Sequence, residues 1–394
     1  MTQNSIPATS RVPKWLLAVF PLLILLGLIA LFMLLDPLSY FTGNFPPLEE
    51  LTIQRVVFPE NGRLQISVIN GGPDPVTIAQ VAIDDAYWQY EISPDHTLAK
   101  LEQATIDLAY PWVTGEPLPI FLITSTGVTF GTEVAVAVES PQTSAATFFH
   151  YGLLGIYVGV IPVALGMLWY PFMRRVDPKW INAFLALTIG LLVFLFIDTV
   201  LEALEISAEL PAVFQGIPVV VFGILFSLGI LLAIGQRRGG SPMTVATFIG
   251  IGIGLHNFGE GLAIGAAFAT GAAALGSFLV IGFTLHNITE GIGIVAPLTK
   301  GEKPRLLTFA LLAILAGAPA MLGTWIGGFA FSPFLAVLFL SLGAGAILQV
   351  IWEVGKMLVR DAKRRKETAV SWINFAAITV GILVMYLTAF LVKF

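Results

Sequence analysis

The chain has 394 residues, of which 56% are hydrophobic and only 11% charged, with a mean hydropathy of +0.87. That balance places the chain as a whole among polytopic membrane proteins rather than soluble ones, and a net charge of −5 leaves no reason to expect nucleic acid as a partner. There is no cysteine, which excludes disulfides, thiolate zinc sites and iron–sulfur clusters, so any metal is held by nitrogen and oxygen ligands.

Residues 1–14 are polar and read as a cytoplasmic tail, with Arg11 and Lys14 just ahead of an apolar run from Trp15 to Leu35. The run is longer than a signal-peptide core and no small-residue cleavage site follows it, so 15–35 is predicted to be a retained signal-anchor helix. From 45 to 140 the pattern changes to short β-type runs: Thr52–Phe58, Leu64–Asn70, Val76–Asp84, Tyr87–Ile92, Thr105–Tyr110, Ile120–Thr126 and Glu133–Glu139, with turn signals such as Asn61-Gly62 and Pro94-Asp95 between them. Such spacing predicts a small antiparallel sandwich of immunoglobulin-like type. Between Glu49 and Glu139 there are thirteen acidic residues against Arg55, Arg63 and Lys100, so the domain can concentrate cations. Asp84, Asp85 and His96 lack ligand spacing and read as solvated surface rather than a metal site.

After a linker at 141–147, residues 148–394 hold eight apolar segments: 148–172, 181–203, 212–235, 243–268, 273–298, 306–331, 333–358 and 371–393. Each is long enough to span a bilayer. Basic connections carrying Arg174 and Arg175, Arg237 and Arg238, Lys300 and Lys303, and Lys363 to Lys366 alternate with base-free ones. The positive-inside rule then predicts a multi-pass plasma-membrane protein with a cytoplasmic N-terminus and an extracytoplasmic β domain and C-terminus. The Lys363–Lys366 run reads mainly as this topological signal, with anionic-lipid contact as a lesser use.

Within those segments one phrase occurs twice: Leu255-His256-Asn257-Phe258-Gly259-Glu260-Gly261 and Leu285-His286-Asn287-Ile288-Thr289-Glu290-Gly291. His and Glu four apart share one helix face. The copies lie either side of a short loop near Ala269-Thr270-Gly271, so their helices run antiparallel with the histidines at nearly one depth, Glu260 a turn toward the outside and Glu290 a turn toward the inside. Two imidazoles with two carboxylates form a four-ligand set suited to Zn²⁺ or a similar divalent ion. The competing interpretation is a hydrogen-bonded polar seam joining the two helices. Duplication of ionisable residues at matched depth favours the cation site.

These phrases resemble the helix 4 and helix 5 signatures of the ZIP (zinc/iron permease) family, with His256 to Gly265 carrying the first and His286 to Gly291 the second. Asp198 to Glu205 is similar to the end of that family's helix 2, and Gly343 to Ala346 with Glu353 to its helix 7. The resemblance spans about 148–394 and implies an all-α polytopic membrane protein with an eight-helix metal transport core, to which the signal anchor and extracytoplasmic β-sandwich are additions. It implies His256, Glu260, His286 and Glu290 as primary ligands, Asn257 and Asn287 as auxiliary oxygens, and an elevator-like movement. The family's proline before each Glu is Gly259 and Thr289 here, and the family's second-metal Glu of helix 6 falls at Ala318, so one bound ion is expected.

Asp198 and Glu202, followed by Glu205 and Glu209, read as an acidic mouth for cation capture or as an ordinary interfacial helix end. Gln349 and Glu353 lie one turn apart where an exit ligand would serve, although Lys356 offers Glu353 a plain partner. The expected function is transport of a divalent metal, zinc first and iron, manganese or cadmium after it, from the outside into the cytoplasm; the metal is cargo and no cofactor is expected. Two other classes remain open: an intramembrane metal-dependent hydrolase, and a metal sensor or adhesion protein acting through the β domain. The expected partners are the metal ion and the lipid bilayer, with a homodimer as an option and the β domain's own partner unspecified.

Overall fold

The apolar run after Lys14 folds as helix α1 (Lys14–Leu35), which contains Pro21 and forms a unit of its own. Phe20, Leu23, Leu26, Ile29 and Met33 are all exposed, and a helix that is apolar on every side suits lipid. The structure, a computed structural model, describes residues 14–35, 47–134, 136–238, 241–269, 273–330, 332–366, 368–369 and 371–392. The expected tail with Arg11, and the 270–272 part of the loop between the two motif helices, lie outside the described residues.

Residues 51–134 form a small β region of short strands in two sheets. The strands are β1 (Leu51–Val57), β2 (Arg63–Asn70), β3 (Val76–Ile83), β4 (Ala86–Trp88), β5 (Tyr90–Ser93), β6 (Thr97–Leu98), β7 (Gln103–Ala109), β8 (Leu118–Thr124) and β9 (Thr129–Val134). One sheet has the order β1-β2-β7-β5; the other is β4-β3-β8-β9 with β6 also on β3, and all pairs are antiparallel. Alternation buries Leu64, Ile66 and Val68 of β2, Ile106 and Leu108 of β7, and Ile120 and Leu122 of β8 in one shared core.

Two expected strands come out differently. The run 87–92 divides at Gln89, with β4 joining one sheet and β5 the other, so the chain switches sheets there. The last strand is β9 and not Glu133–Glu139, because Gly127, at φ +89°, starts a tight return from β8. Ala137 instead hydrogen-bonds with Glu116, and the Ser140 hydroxyl accepts from the Phe58 amide, closing the end of the core.

The rest of the chain is helical: α2 (Ala145–Gly155), a π-helical turn (Ile156–Val160), α3 (Ile161–Met167), α4 (Tyr170–Met173), α5 (Pro178–Ala208), α6 (Gly216–Arg238), α7 (Pro242–Ala269), α8 (Ala273–Val295), α9 (Leu306–Ala330), α10 (Pro333–Arg365) and α11 (Trp372–Val392). Six stretches among the described residues are long and apolar enough to cross a membrane: 145–173, 180–208, 212–235, 275–300, 306–330 and 333–365. This is the pattern of a multi-pass membrane protein. α11 contributes a shorter apolar stretch, Trp372–Leu387. α7 is long enough but falls outside the six because its glycines, His256, Asn257 and Glu260 lower its hydropathy; most of it is buried between other helices, so these residues meet protein rather than lipid.

Close backbone approaches sort these helices into two groups. A Cβ on Gly317 of α9 would lie 2.5 Å from the Val160 Cα of the π turn, and one on Gly166 of α3 would lie 1.9 Å from the Ile288 carbonyl oxygen of α8. The same holds for α7 on α9, where a Cβ on Gly261 would lie 2.2 Å from the Ala320 carbonyl oxygen. A separate set joins α5 to α11 and α6 to α10, through Gly381 at 2.4 Å from the Leu187 oxygen and Gly345 at 2.3 Å from the Ile224 oxygen. Between the sets the nearest backbone approaches are looser, 3.3 Å at Gly343 against His256 and at Gly252 against Ala346. Small residues therefore lock α2, α3, α7, α8 and α9 together, and α5, α6, α10 and α11 together.

The β region touches both groups. The Ala212 amide donates to Glu50 at 2.8 Å beside Pro211, which sits against Gly71, while an Arg55 Nη donates to the Gly328 carbonyl of α9 at 3.4 Å.

Candidate metal centre

α7 and α8 lie side by side and bring the two copies of the motif together. The His256 and His286 rings stand 6.0 Å apart, centroid to centroid. Glu260 lies between them, its Oε1 3.0 Å from His256 Nε2 and in closer contact with His286 Nε2. Among the described residues these three form one buried group whose ligand atoms all lie within 4.8 Å of one another. The expectation that Glu260 sits a turn away from the histidines misses the direction of helical side chains. Those lean toward the helix N-terminus, which carries the Glu260 carboxylate back level with the imidazole four residues earlier.

The far side of His256 is held by a residue that the motif does not contain. Thr199 of α5 places its hydroxyl 3.0 Å from Nδ1, and the same hydroxyl donates to the Leu195 carbonyl at 2.7 Å. A hydroxyl has one proton, and here the backbone carbonyl takes it, so His256 Nδ1–H donates to Thr199. The neutral ring then presents a lone pair on Nε2 toward the Glu260 oxygen. Two acceptors face each other at 3.0 Å, an arrangement that requires positive charge between or on them, from a proton or a metal ion.

The asparagines are oriented by backbone carbonyls of neighbouring helical segments. Asn287 Nδ2 donates to the Val158 carbonyl at 3.0 Å and to Glu260 Oε2 at 3.2 Å. Val158 is free to accept because the residue four places on is Pro162, which has no N–H to return. Asn257 Nδ2 donates to the Ala316 carbonyl at 3.0 Å on α9, three residues before Pro319. With both amide nitrogens committed to backbone, Asn257 Oδ1 and Asn287 Oδ1 are buried and accept no hydrogen bond. Both Glu290 oxygens are likewise buried without a hydrogen-bond partner, and Glu290 lines a void of about 10 Å³ with Leu195, Ile253 and Met385. Four buried oxygens with lone pairs and no donor, beside two imidazoles and a carboxylate, form a donor set of the hard and borderline type that divalent cations take. Glu290 itself stands outside the three-residue group.

The remaining predicted residues lie around this centre. Half-buried Glu202 on α5 interacts electrostatically with His256, Asp198, Glu260 and Glu205, so the carboxylates of α5 lead outward from the motif histidine. At the end of that row burial, and then the charge of Glu205, push the Glu209 carboxyl above the usual carboxylate range. Gln349 on α10 is fully buried with neither amide atom partnered, and Glu353 one turn on pairs with Lys356 at 2.8 Å. Neither joins the central group. In the β region Asp84 and Asp85 form a turn with φ of 49° and 61°, Asp84 accepts from the Tyr110 hydroxyl, and His96 packs on Tyr90. These form no metal-type group among the described residues.

Thr199 and Pro162 are the residues that motif spacing alone does not disclose. Their signals are modest: a threonine beside Asp198 in an apolar helix, and a proline inside an apolar run. The chain matches no protein-family model and none of the curated proteins with which it was compared.

Proposed function

We propose that the chain is a divalent-metal transporter of the ZIP type, with zinc as the preferred cargo. It has an eight-helix core, and the retained anchor and an immunoglobulin-like extracytoplasmic sandwich are additions to that core. The observation that carries the proposal is the Glu260 oxygen facing two imidazole nitrogens, one of them fixed by Thr199 as a lone pair. A Zn²⁺ ion supplies the positive charge that this arrangement requires, and the oxygens of Asn257, Asn287 and Glu290 are the further donors available to it. Transport is favoured over hydrolysis because His256, Asn257, Glu260, Asn287 and Glu290 are each less than 5% exposed, which leaves room for an ion and not for a lipid or peptide substrate.

In this proposal the ion is captured along Glu209, Glu205, Glu202 and Asp198 on the outer side of the plasma membrane. It exchanges water for the buried ligands and leaves toward the cytoplasm as the α7-containing group shifts against the α5-containing one. The looser contact between the two groups, and the tight backbone contact within each, supports a movement of that kind. Metal affinity measured on the detergent-purified chain tests the site. Zn²⁺ is expected to bind at one principal site, and Glu260→Gln with His286→Ala is expected to weaken it at least a hundredfold; unchanged affinity in that variant would remove the basis for the proposal.

A further inference from the structure

Seven charged side chains converge on a single cavity of about 480 Å³ at the end of the helical region remote from the β strands. The direction of α5 fixes that placement, since its C-terminal end leads to Ala212, which contacts Glu50, whereas Ile181 near its start lines the cavity. Five of the side chains are basic and two acidic. Both acids are already taken: Asp361 pairs with Lys300, which also donates to Asn182 at 3.0 Å, and Glu353 pairs with Lys356. Arg360, Arg364 and Arg365 line the same cavity and form no ion pair among the described residues. Pro242, the first residue of α7, also lines it, which brings the positive end of that helix to the cavity wall.

Three unpaired guanidinium groups and a helix N-terminus around one space repel one another until an anion enters. The planar forks of arginine match the oxygens of a phosphate in pairs, and the volume lies within the ~300–1,000 Å³ of small-ligand pockets. We propose that this cavity binds a phosphate-bearing anion, presented by a membrane lipid headgroup or by a soluble phosphate compound. The inference is independent of metal transport. Its walls come from both helix groups, α7 and the 297–300 turn on one side and α5 and α10 on the other, so a bound anion ties the groups together.

The test is a binding titration on the purified full chain in detergent, with short-chain phosphatidylinositol phosphate, soluble inositol trisphosphate, inorganic phosphate and zwitterionic phosphatidylcholine as probes. Saturable binding is expected for a probe whose phosphate carries net negative charge and not for phosphatidylcholine, whose phosphodiester is neutralised by its own choline. Binding of the lipid alone assigns the headgroup as the source, and equal binding of inositol trisphosphate or inorganic phosphate assigns a soluble one. Arg364→Gln with Arg365→Gln is expected to weaken binding at least tenfold. The matched control, Lys363→Gln with Lys366→Gln, removes the same charge from the same run without touching the cavity and is expected to change affinity less than twofold. Should the arginine pair fail to fold, Lys356→Gln replaces it, with the same direction expected. No saturable binding, or equal weakening by the two double variants, would overturn the proposal, because the second result marks general surface attraction.

Discussion

Thr199 Oγ1 stands 3.0 Å from His256 Nδ1 while giving its own proton to the Leu195 carbonyl. Those two contacts fix which imidazole nitrogen can bind a metal. Outer contacts of this kind commonly change metal affinity by about 10–100-fold. Thr199→Val is therefore expected to lower zinc affinity within that range and Thr199→Ser to preserve it, as measured by competition with a chromophoric chelator. Equal affinity in wild type and Thr199→Val would show that His256 needs no such partner.

Pro162 lets stability and binding be separated. It removes the α-helical donor four places on from Val158, and Asn287 donates to that carbonyl. Pro162→Ala restores an N–H to the helix, which competes for the carbonyl and frees the Asn287 amide to turn. The variant is expected to hold or raise its thermal midpoint while zinc affinity falls several-fold. A fall in stability with unchanged affinity would contradict this role.

Two glycine substitutions of equal chemistry are expected to have opposite effects. A Cβ on Gly317 meets the Val160 backbone at 2.5 Å, and backbone cannot yield as a side chain can. Gly317→Ala should force α9 from the π turn and abolish monodisperse protein on gel filtration. Gly355 has nothing within 4 Å of the same position, so Gly355→Ala should be neutral or stabilising by about 0.5–1 kcal/mol from helix propensity.

The β region carries a pH signature of its own. Burial, then the hydrogen bond to Asp84 and its charge, push the Tyr110 phenol up to about 12. A folded-state value above the unfolded ~10 means that this contribution is complete below the unfolded value and is lost as the pH rises through the folded one. Alkaline titration followed by near-ultraviolet circular dichroism is expected to show the β region loosening between about pH 10 and 12. Tyr110→Phe should remove that pH-dependent component, and an unchanged profile would assign it elsewhere.

What was legible in the sequence follows from what periodicity records. Apolar runs and loop charges mark the helices, and the repeated His-Asn-x-x-Glu marks the chemistry, because each is written within one segment. Thr199 and the Val158 carbonyl come to the site from other segments, and no local pattern announces a partner brought in by packing. Glu260 was legible as a ligand candidate but not as the group shared between both rings, since spacing sets the helix face and not the lean of the side chain along it. α7 reads as an ordinary span, yet its surroundings are protein, which is why it tolerates glycines and charges that a lipid-facing helix would not. The β9 error has a similar origin: Glu133–Glu139 alternates well enough, but the return at Gly127 decides which residues meet β8.

The central claim is that the centre built by His256, Glu260 and His286 carries a divalent ion through the membrane. Zinc uptake into proteoliposomes containing the purified chain tests it most directly, with Glu260→Ala reconstituted at equal density. Saturable uptake by the wild-type chain, reduced to the level of empty vesicles by Glu260→Ala, is the result expected. Absence of uptake of Zn²⁺, Fe²⁺, Mn²⁺ and Cd²⁺ by well-folded wild-type protein, or undiminished uptake by Glu260→Ala, would contradict it.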